Sequence, residues 1–192
     1  MEALFTSAAL VALAEMGDKT QLLAMLLATR FRRPAPIILG ILVATLANHF
    51  LAALLGHSIA GMLDQPWFRY AIAASFVAMA AWTLIPDRLD ADEPIRAPSR
   101  AGVFATTLIA FFLVEMGDKT QVATIALGAR FDNVFAVTAG TTLGMMIANV
   151  PAVVFGEALA KTVPMRALQV GAALLFLALG LWMIADLQGW IG

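Results

Sequence analysis

Seven consecutive residues, Glu15-Met16-Gly17-Asp18-Lys19-Thr20-Gln21, recur letter for letter 100 positions later as Glu115-Met116-Gly117-Asp118-Lys119-Thr120-Gln121. At the same offset Leu13, Leu27, Arg30 and Phe31 match Leu113, Leu127, Arg130 and Phe131, and Gly40, Gly56, Ala60 and Trp82 match Gly140, Gly156, Ala160 and Trp182. An identical heptapeptide does not arise by chance in a chain of 192 residues, so the two halves derive from one duplicated unit. Whatever the chain folds into must hold two copies of a charged motif, each set in apolar sequence.

That setting is extreme. Apolar residues make up 61% of the chain and charged residues 13%, against about 25% charged in soluble domains. The apolar residues run in long blocks, and a bilayer core of about 30 Å needs roughly 20 of them in a helix. Six segments qualify, near 3–29, 37–61, 67–85, 102–129, 134–159 and 166–187. The expected fold is all-α: a polytopic membrane protein with one three-helix repeat over 1–86, a linker over 87–101 and a second repeat over 102–192. The linker, with Asp87, Asp90, Asp92 and Glu93 among arginines and prolines, reads as a solvated connection. Residues 1–5 lack the basic region of a secretory signal. Cleavage after Ala12-Leu13-Ala14 would halve a span whose twin is intact, so the segment is expected to be kept.

Absent residues narrow the chemistry. Without cysteine there are no disulfides or thiolate metal sites, and with two histidines a nitrogen- and sulfur-ligated zinc or copper site is disfavoured. A net charge of −1 points to no nucleic-acid partner.

Loop charges give an orientation. With the N-terminus outside, Arg30, Arg32, Arg33, Arg88, Arg96, Arg100, Lys161 and Arg166 all fall on the cytoplasmic side, whereas only Arg69 and Arg130 fall outside. Both termini are therefore expected outside and the central loop in the cytoplasm. Three spans per repeat is an odd number, so the second copy enters the membrane the other way up. Inverted repeats of this kind occur in secondary transporters, with the substrate site at the midplane between the repeats.

The repeated motif supplies such a site. An ionisable residue at mid-bilayer costs about 2.5–3.5 kcal/mol, and Glu15, Asp18, Lys19, Glu115, Asp118 and Lys119 would together cost roughly 15–20 kcal/mol if each stood alone. Read as continuous helix, Glu15, Asp18 and Lys19 share one face with Gln21 at its edge. Gly17 either admits a close neighbour or lets the helix bend. The twin helix would supply the same set, adding the amides of Gln21 and Gln121 and the hydroxyls of Thr20 and Thr120 to four carboxylates. Four carboxylates and two ammonium groups sum to −2, matched by one divalent cation, and an all-oxygen donor set suits Mg²⁺, Ca²⁺ or Mn²⁺. Once the cation leaves, protons can replace it among the crowded carboxylates, which is the physical basis for cation/proton exchange. The plainer alternative is a pair of structural i,i+4 ion pairs, Glu15–Lys19 and Glu115–Lys119. It leaves Asp18 and Asp118 without purpose.

A doubled Glu-hydrophobic-Gly-Asp-Lys-Thr in a six-span chain resembles the calcium/cation antiporter type 2 family, whose members include bacterial manganese exporters and Golgi manganese/calcium transporters. The likeness extends over the whole chain. It implies transport of Mn²⁺ or Ca²⁺ in exchange for protons across a bacterial inner membrane, without a permanent cofactor, and for a short chain of this kind it favours manganese efflux, with calcium/proton antiport as the alternative. It also implies that Glu15, Asp18, Glu115 and Asp118 are the cation ligands, with Lys19, Thr20, Lys119 and Thr120 in support.

Other polar residues are secondary. Asn48 and Asn149 sit mid-span and could complete the cation shell or join helices. His49 lies about 100° round the helix from Asn48 and reads as a hydrogen-bonded or lipid-edge residue. His57 and Glu157 read as interfacial, Met16 and Met116 as packing residues, and Trp67, Trp82, Trp182 and Trp190 as an aromatic belt. Three rival functions are weaker. Organic-ion export finds four acids and no intramembrane arginine to hold a carboxylate, although Lys19 and Lys119 keep that reading open. Intramembrane aspartyl proteolysis needs Gly-x-Gly-Asp and an aspartate dyad without adjacent ammonium groups. A passive channel would need a filter or hydrophilic pore.

Overall fold

The computed structural model describes residues 1–85, 100–131, 133–156 and 165–190, and every regular element among them is helical. Most of the expected linker, Asp132, Glu157, Lys161 and Pro164 lie outside the described residues. In chain order the helices are α1 (Glu2–Glu15), α2 (Lys19–Phe31), α3 (Pro34–Ile59), α4 (Pro66–Thr83), α5 (Arg100–Glu115), α6 (Lys119–Arg130), α7 (Val134–Phe155) and α8 (Met165–Leu187), with a 3₁₀ turn at Ala60–Asp64.

The segments expected as continuous spans over 3–29 and 102–129 are each two helices, broken inside the repeated heptapeptide. Gly17 has φ of 85° and Gly117 φ of 77°, a conformation glycine adopts freely and which cannot continue a right-handed helix. Asp18 and Asp118 follow in extended backbone and stand as the N-caps of α2 and α6. Of the two roles open to Gly17, the bend is the one realised. Glu15, Asp18 and Lys19 thus do not share one helical face: the glutamates end one helix and the lysines begin the next. Apolar sequence on both sides of the motif conceals the break from any reading of hydropathy.

Among the described residues, three stretches are long and apolar enough to cross a bilayer: Pro34–Met62, Val134–Phe155 and Gln169–Leu187. A fourth is α5 with α6, taken as one span bent by 70°. The chain is a multi-pass membrane protein. Its large exposed side chains, such as Leu51, Leu55, Leu143, Val154 and Leu174, suit hydrocarbon.

Helix pairs approach closely through small residues. A Cβ on Gly140 of α7 would come within 2.4 Å of the Leu4 carbonyl oxygen of α1, and one on Gly144 within 2.5 Å of that of Ala8. A Cβ on Gly40 of α3 would meet Thr107 of α5 at 2.8 Å and the Phe104 carbonyl oxygen at 3.0 Å. Gly40 against Phe104 and Thr107, and Gly140 against Leu4 and Ser7, are the same contact 100 positions apart. Each bundle half thereby holds the first helix of the other. Phe76 and Phe176, repeat equivalents on α4 and α8, meet at 6.3 Å between ring centroids.

Gly140→Ala should therefore cost about 1–3 kcal/mol, because backbone rather than a flexible side chain must give way. Gly61→Ala, with nothing within 4 Å of the added carbon, should leave thermal unfolding of the detergent-solubilised protein unchanged; equal melting temperatures for the two variants would contradict the packing described.

Candidate cation site

The two helix breaks bring four helix ends together. Glu15 and Glu115 finish α1 and α5, while Asp18 and Asp118 cap α2 and α6. An acid at a helix N-terminus is favoured by the unsatisfied N–H groups there, so both aspartates sit where the backbone assists them. All four acids are buried.

Of the four, Glu15, Glu115 and Asp118 offer carboxylate oxygens that lie within 4.8 Å of one another. A Ca²⁺ ion binds oxygens at about 2.3–2.6 Å, so ligands on opposite sides of such an ion stand near that separation. Three carboxylates this close repel unless a cation or protons sit among them. Asp18 falls outside this cluster and is engaged in a buried ion pair with Lys119. Its counterpart is a pair between Lys19 and Asp118 at 2.7 Å. The lysines therefore bridge the repeats instead of forming Glu15–Lys19 and Glu115–Lys119 pairs along one helix, which the breaks at Gly17 and Gly117 preclude. The two bridges are unequal: the Lys19 side chain is 24% exposed and that of Lys119 only 1%.

The neighbouring polar residues divide by what their atoms already do. Thr20 donates to Glu15, while Thr120 donates to Glu115 at 3.1 Å and lies 3.3 Å from Asp118. The amide oxygens of Gln21 and Gln121 accept from the N–H groups of Gly17 and Gly117, at 2.9 and 2.7 Å. Each glutamine thus braces its own break. Their amide nitrogens reach across the bundle, Gln21 to the Ala148 carbonyl at 3.1 Å and Gln121 to the Asn48 side-chain oxygen at 2.8 Å. Asn48 in turn donates to the Phe112 carbonyl at 3.0 Å. Asn149 donates to the Met145 carbonyl at 3.1 Å, and its buried Oδ1 has no hydrogen-bond partner among the described residues. That oxygen, with Oε1 of Glu15 and of Glu115, is a buried acceptor still available.

His49 is placed differently from expectation. It is fully buried, with Nε2 3.9 Å from Oε2 of Glu115, and neither ring nitrogen has a hydrogen-bond partner among the described residues. It is not a lipid-edge residue. The offset of 100 contained the signal, since the strict equivalent of Asn149 is His49 and that of Asn48 is Ala148. Met116 is 57% exposed rather than packed, and His57 is exposed as an interfacial residue would be.

A family model described as "Divalent cation/proton antiporter GDT1" matches residues 3–91 and 103–189. A Vibrio cholerae protein named "Putative manganese exporter" is 49% identical over 182 residues, covering 94% of this chain and 90% of its own length. The GDT1-like protein sll0615 of Synechocystis is 30% identical over 186 residues, with coverage of 87% and 89%. GDT1-like protein 3 of Arabidopsis thaliana is 27% identical over 202 residues, with coverage of 92% and 68%. No solved structure matches the chain.

The bracing predicts a stability effect separate from any ligand. Gln21→Leu would strand the Gly17 N–H and remove the bond to Ala148, at a cost of about 1–3 kcal/mol. A fall in thermal stability measured without added metal would bear this out, and wild-type stability would contradict it.

Proposed function

Because the chain belongs to the GDT1 family of divalent cation/proton antiporters, we propose that it exports a hard divalent cation, manganese before calcium, from the cytoplasm in exchange for protons. The observation that carries this reading is the buried trio Glu15, Glu115 and Asp118, whose oxygens converge within 4.8 Å. With Lys19 beside Asp118, the trio carries a formal −2 when fully ionised, which one divalent cation neutralises. An all-oxygen set disfavours softer metals. Manganese is put ahead of calcium because the 49% identical relative bears the name of a manganese exporter.

In this reading Glu15, Glu115, Asp118 and, in the other half of the cycle, Asp18 bind the cation. Asn149 Oδ1 is a further ligand, and Thr20 and Thr120 orient the glutamates. Lys19 and Lys119 stay paired with Asp118 and Asp18 across the repeats, so neither aspartate is left without a countercharge as the load changes. Protons take the cation's place among the glutamates on the return step.

The reciprocal contacts of Gly40 and Gly140, and the crossed pairs of Lys19 and Lys119, support two inverted three-helix repeats that rock about the site. The loop charges support an inner-membrane setting with both termini outside. Binding, release and proton transfer suffice for this cycle, and no covalent step enters it.

Purified protein in proteoliposomes should carry Mn²⁺ against its gradient when a proton gradient is imposed, with Ca²⁺ competing and Mg²⁺ competing less. Glu15→Gln, Asp18→Asn, Glu115→Gln and Asp118→Asn should each lower the flux at least about tenfold, the loss expected when a charged ligand is removed. Flux that ignores the proton gradient would remove the antiport, and wild-type flux in two of the four variants would remove those residues from the site.

A further inference from the structure

One side-chain triplet occurs twice, and its two copies are arranged differently. Arg130, Phe131 and Trp182 are the equivalents of Arg30, Phe31 and Trp82 at the offset of 100. At the end of α6 the three are engaged. The Arg130 guanidinium stands 5.3 Å from the ring centroid of Trp182 and 5.4 Å from that of Phe131, inside the roughly 6 Å reach of a cation–π contact. It lines a small cavity with Glu2 and Thr6 of α1 and Leu179 of α8, so the clasp joins α6 to α8 over the start of α1. At the end of α2 the same side chains are apart. Arg30 is exposed, and among the described residues no ring contact joins it to Phe31 or Trp82. An aromatic belt accounts for tryptophan in both places, but not for one triplet in two arrangements.

The helices that carry the triplets differ in the same sense. In the last turn of α6, Gly128 and Ala129 are buried against α3. A Cβ on Gly128 would come within 2.5 Å of the Ala53 carbonyl oxygen, and one on Gly56 within 2.8 Å of the Ala129 nitrogen. Their equivalents on α2 are looser, with Ala28 half-buried and Thr29 exposed. The contrast continues at the other end of both helices. Lys19 opens α2 with 24% of its side chain exposed, while Lys119 opens α6 with 1%. One helix is held at both ends and its twin at neither. Residues outside the repeat favour this arrangement. One turn beyond Trp182, Asp186 pairs with Arg69 at 2.7 Å, and Gln188 donates to the Tyr70 hydroxyl at 2.9 Å, tying α8 to α4 beside the clasp. The equivalent positions hold Pro86, Gln169, Arg88 and Val170, which cannot build either contact.

We propose that Arg130–Trp182 and Arg30–Trp82 are two clasps that close in turn on either side of the cation site, and that the structure holds the first closed and the second open. The inference rests on the transport reading above, in which inverted repeats trade conformations about a central site. Loop charges put the end of α6 outside, so the site here faces the cytoplasm, where an exporter loads. Passage to the other state exchanges the two arrangements. Arg130 leaves Trp182 and α6 loosens, while α2 seats on its neighbours and Arg30 meets Trp82. Close-packed helices switch between such arrangements rather than deform continuously. Each clasp is weak on its own, so it biases which end is closed without locking the protein.

The chain has no cysteine, so a single introduced cysteine reports one helix end without background. In detergent and without added metal, Thr29→Cys should react readily with a water-soluble maleimide and Ala129→Cys slowly. Equivalent substitutions should then act in opposite directions. Trp182→Leu removes a contact of the state shown here and should speed labelling of Ala129→Cys about two- to fivefold, the size of one partly exposed cation–π contact. Trp82→Leu removes a contact of the other state and should slow it by a similar factor. Ala126→Cys, buried on α6 one turn earlier, is a second reporter should Ala129→Cys lower the melting temperature. Changes in the same direction, or none, would overturn the paired clasps, because simple loosening of the fold speeds labelling in both variants. Ready labelling of both α6 reporters in the otherwise wild-type chain would overturn the assignment of the closed end. Proteoliposome flux separates this inference from the reading beneath it. Failure of the wild-type chain to carry any divalent cation would remove the transport reading, whereas opposed labelling shifts would still identify the clasps.

Discussion

Six ionisable groups in the apolar interior must find countercharges inside the protein, because the hydrocarbon supplies none. The chain meets this demand by breaking two helices at the same point in two copies of one heptapeptide. A continuous helix would have paired each glutamate with the lysine four residues on and turned both aspartates against them along a single face. The positive φ of Gly17 and Gly117 instead turns each chain between its glutamate and its lysine. Lys19 can then reach Asp118 and Lys119 can reach Asp18. The pairing that neutralises the aspartates also ties the two halves together. Removing either lysine would therefore uncover a buried charge and loosen the bundle at once.

Much of this was legible in the sequence, and the parts that were not share a cause. The helical class, the duplication and the enclosure of the four motif acids away from solvent follow from composition, a repeat offset and the cost of charge in lipid. Those are properties of residue type and spacing. The break itself was not legible, because apolar residues flank the motif on both sides and hydropathy averages across three residues. Glycine in the motif signalled permission to bend, but a close neighbour would have called for the same residue; nothing lies within 4 Å of a Cβ placed on Gly117. His49 was lost for a related reason. A helix buried against several neighbours has a broad inward face, so a residue about 100° from Asn48 can be as buried as Asn48 itself.

The glutamines show why the motif extends beyond its acids. A break in lipid leaves N–H groups that water cannot satisfy, and each Gln oxygen accepts the glycine N–H at the bend. The side chain that answers the backbone's unpaired donor is also the one that reaches a neighbouring helix, α7 for Gln21 and α3 for Gln121. The bend is therefore anchored twice, through its own backbone and through the opposite half.

Identical heptapeptides nevertheless end in different surroundings, and the difference must originate outside them. Where Gln121 meets the side chain of Asn48, Gln21 meets only the backbone of Ala148, its repeat equivalent. Where α7 offers Asn149, α3 offers His49, which lies beside Glu115. Non-repeated residues on α3 and α7 thus break the symmetry of the repeated ones, and the unequal exposure of Lys19 and Lys119 accompanies that break. Two equal halves would have no reason to rest with one lysine buried and the other open. Two halves biased by a few side chains can rest on one side and still exchange roles when the load changes, which is the property the proposed transport cycle requires.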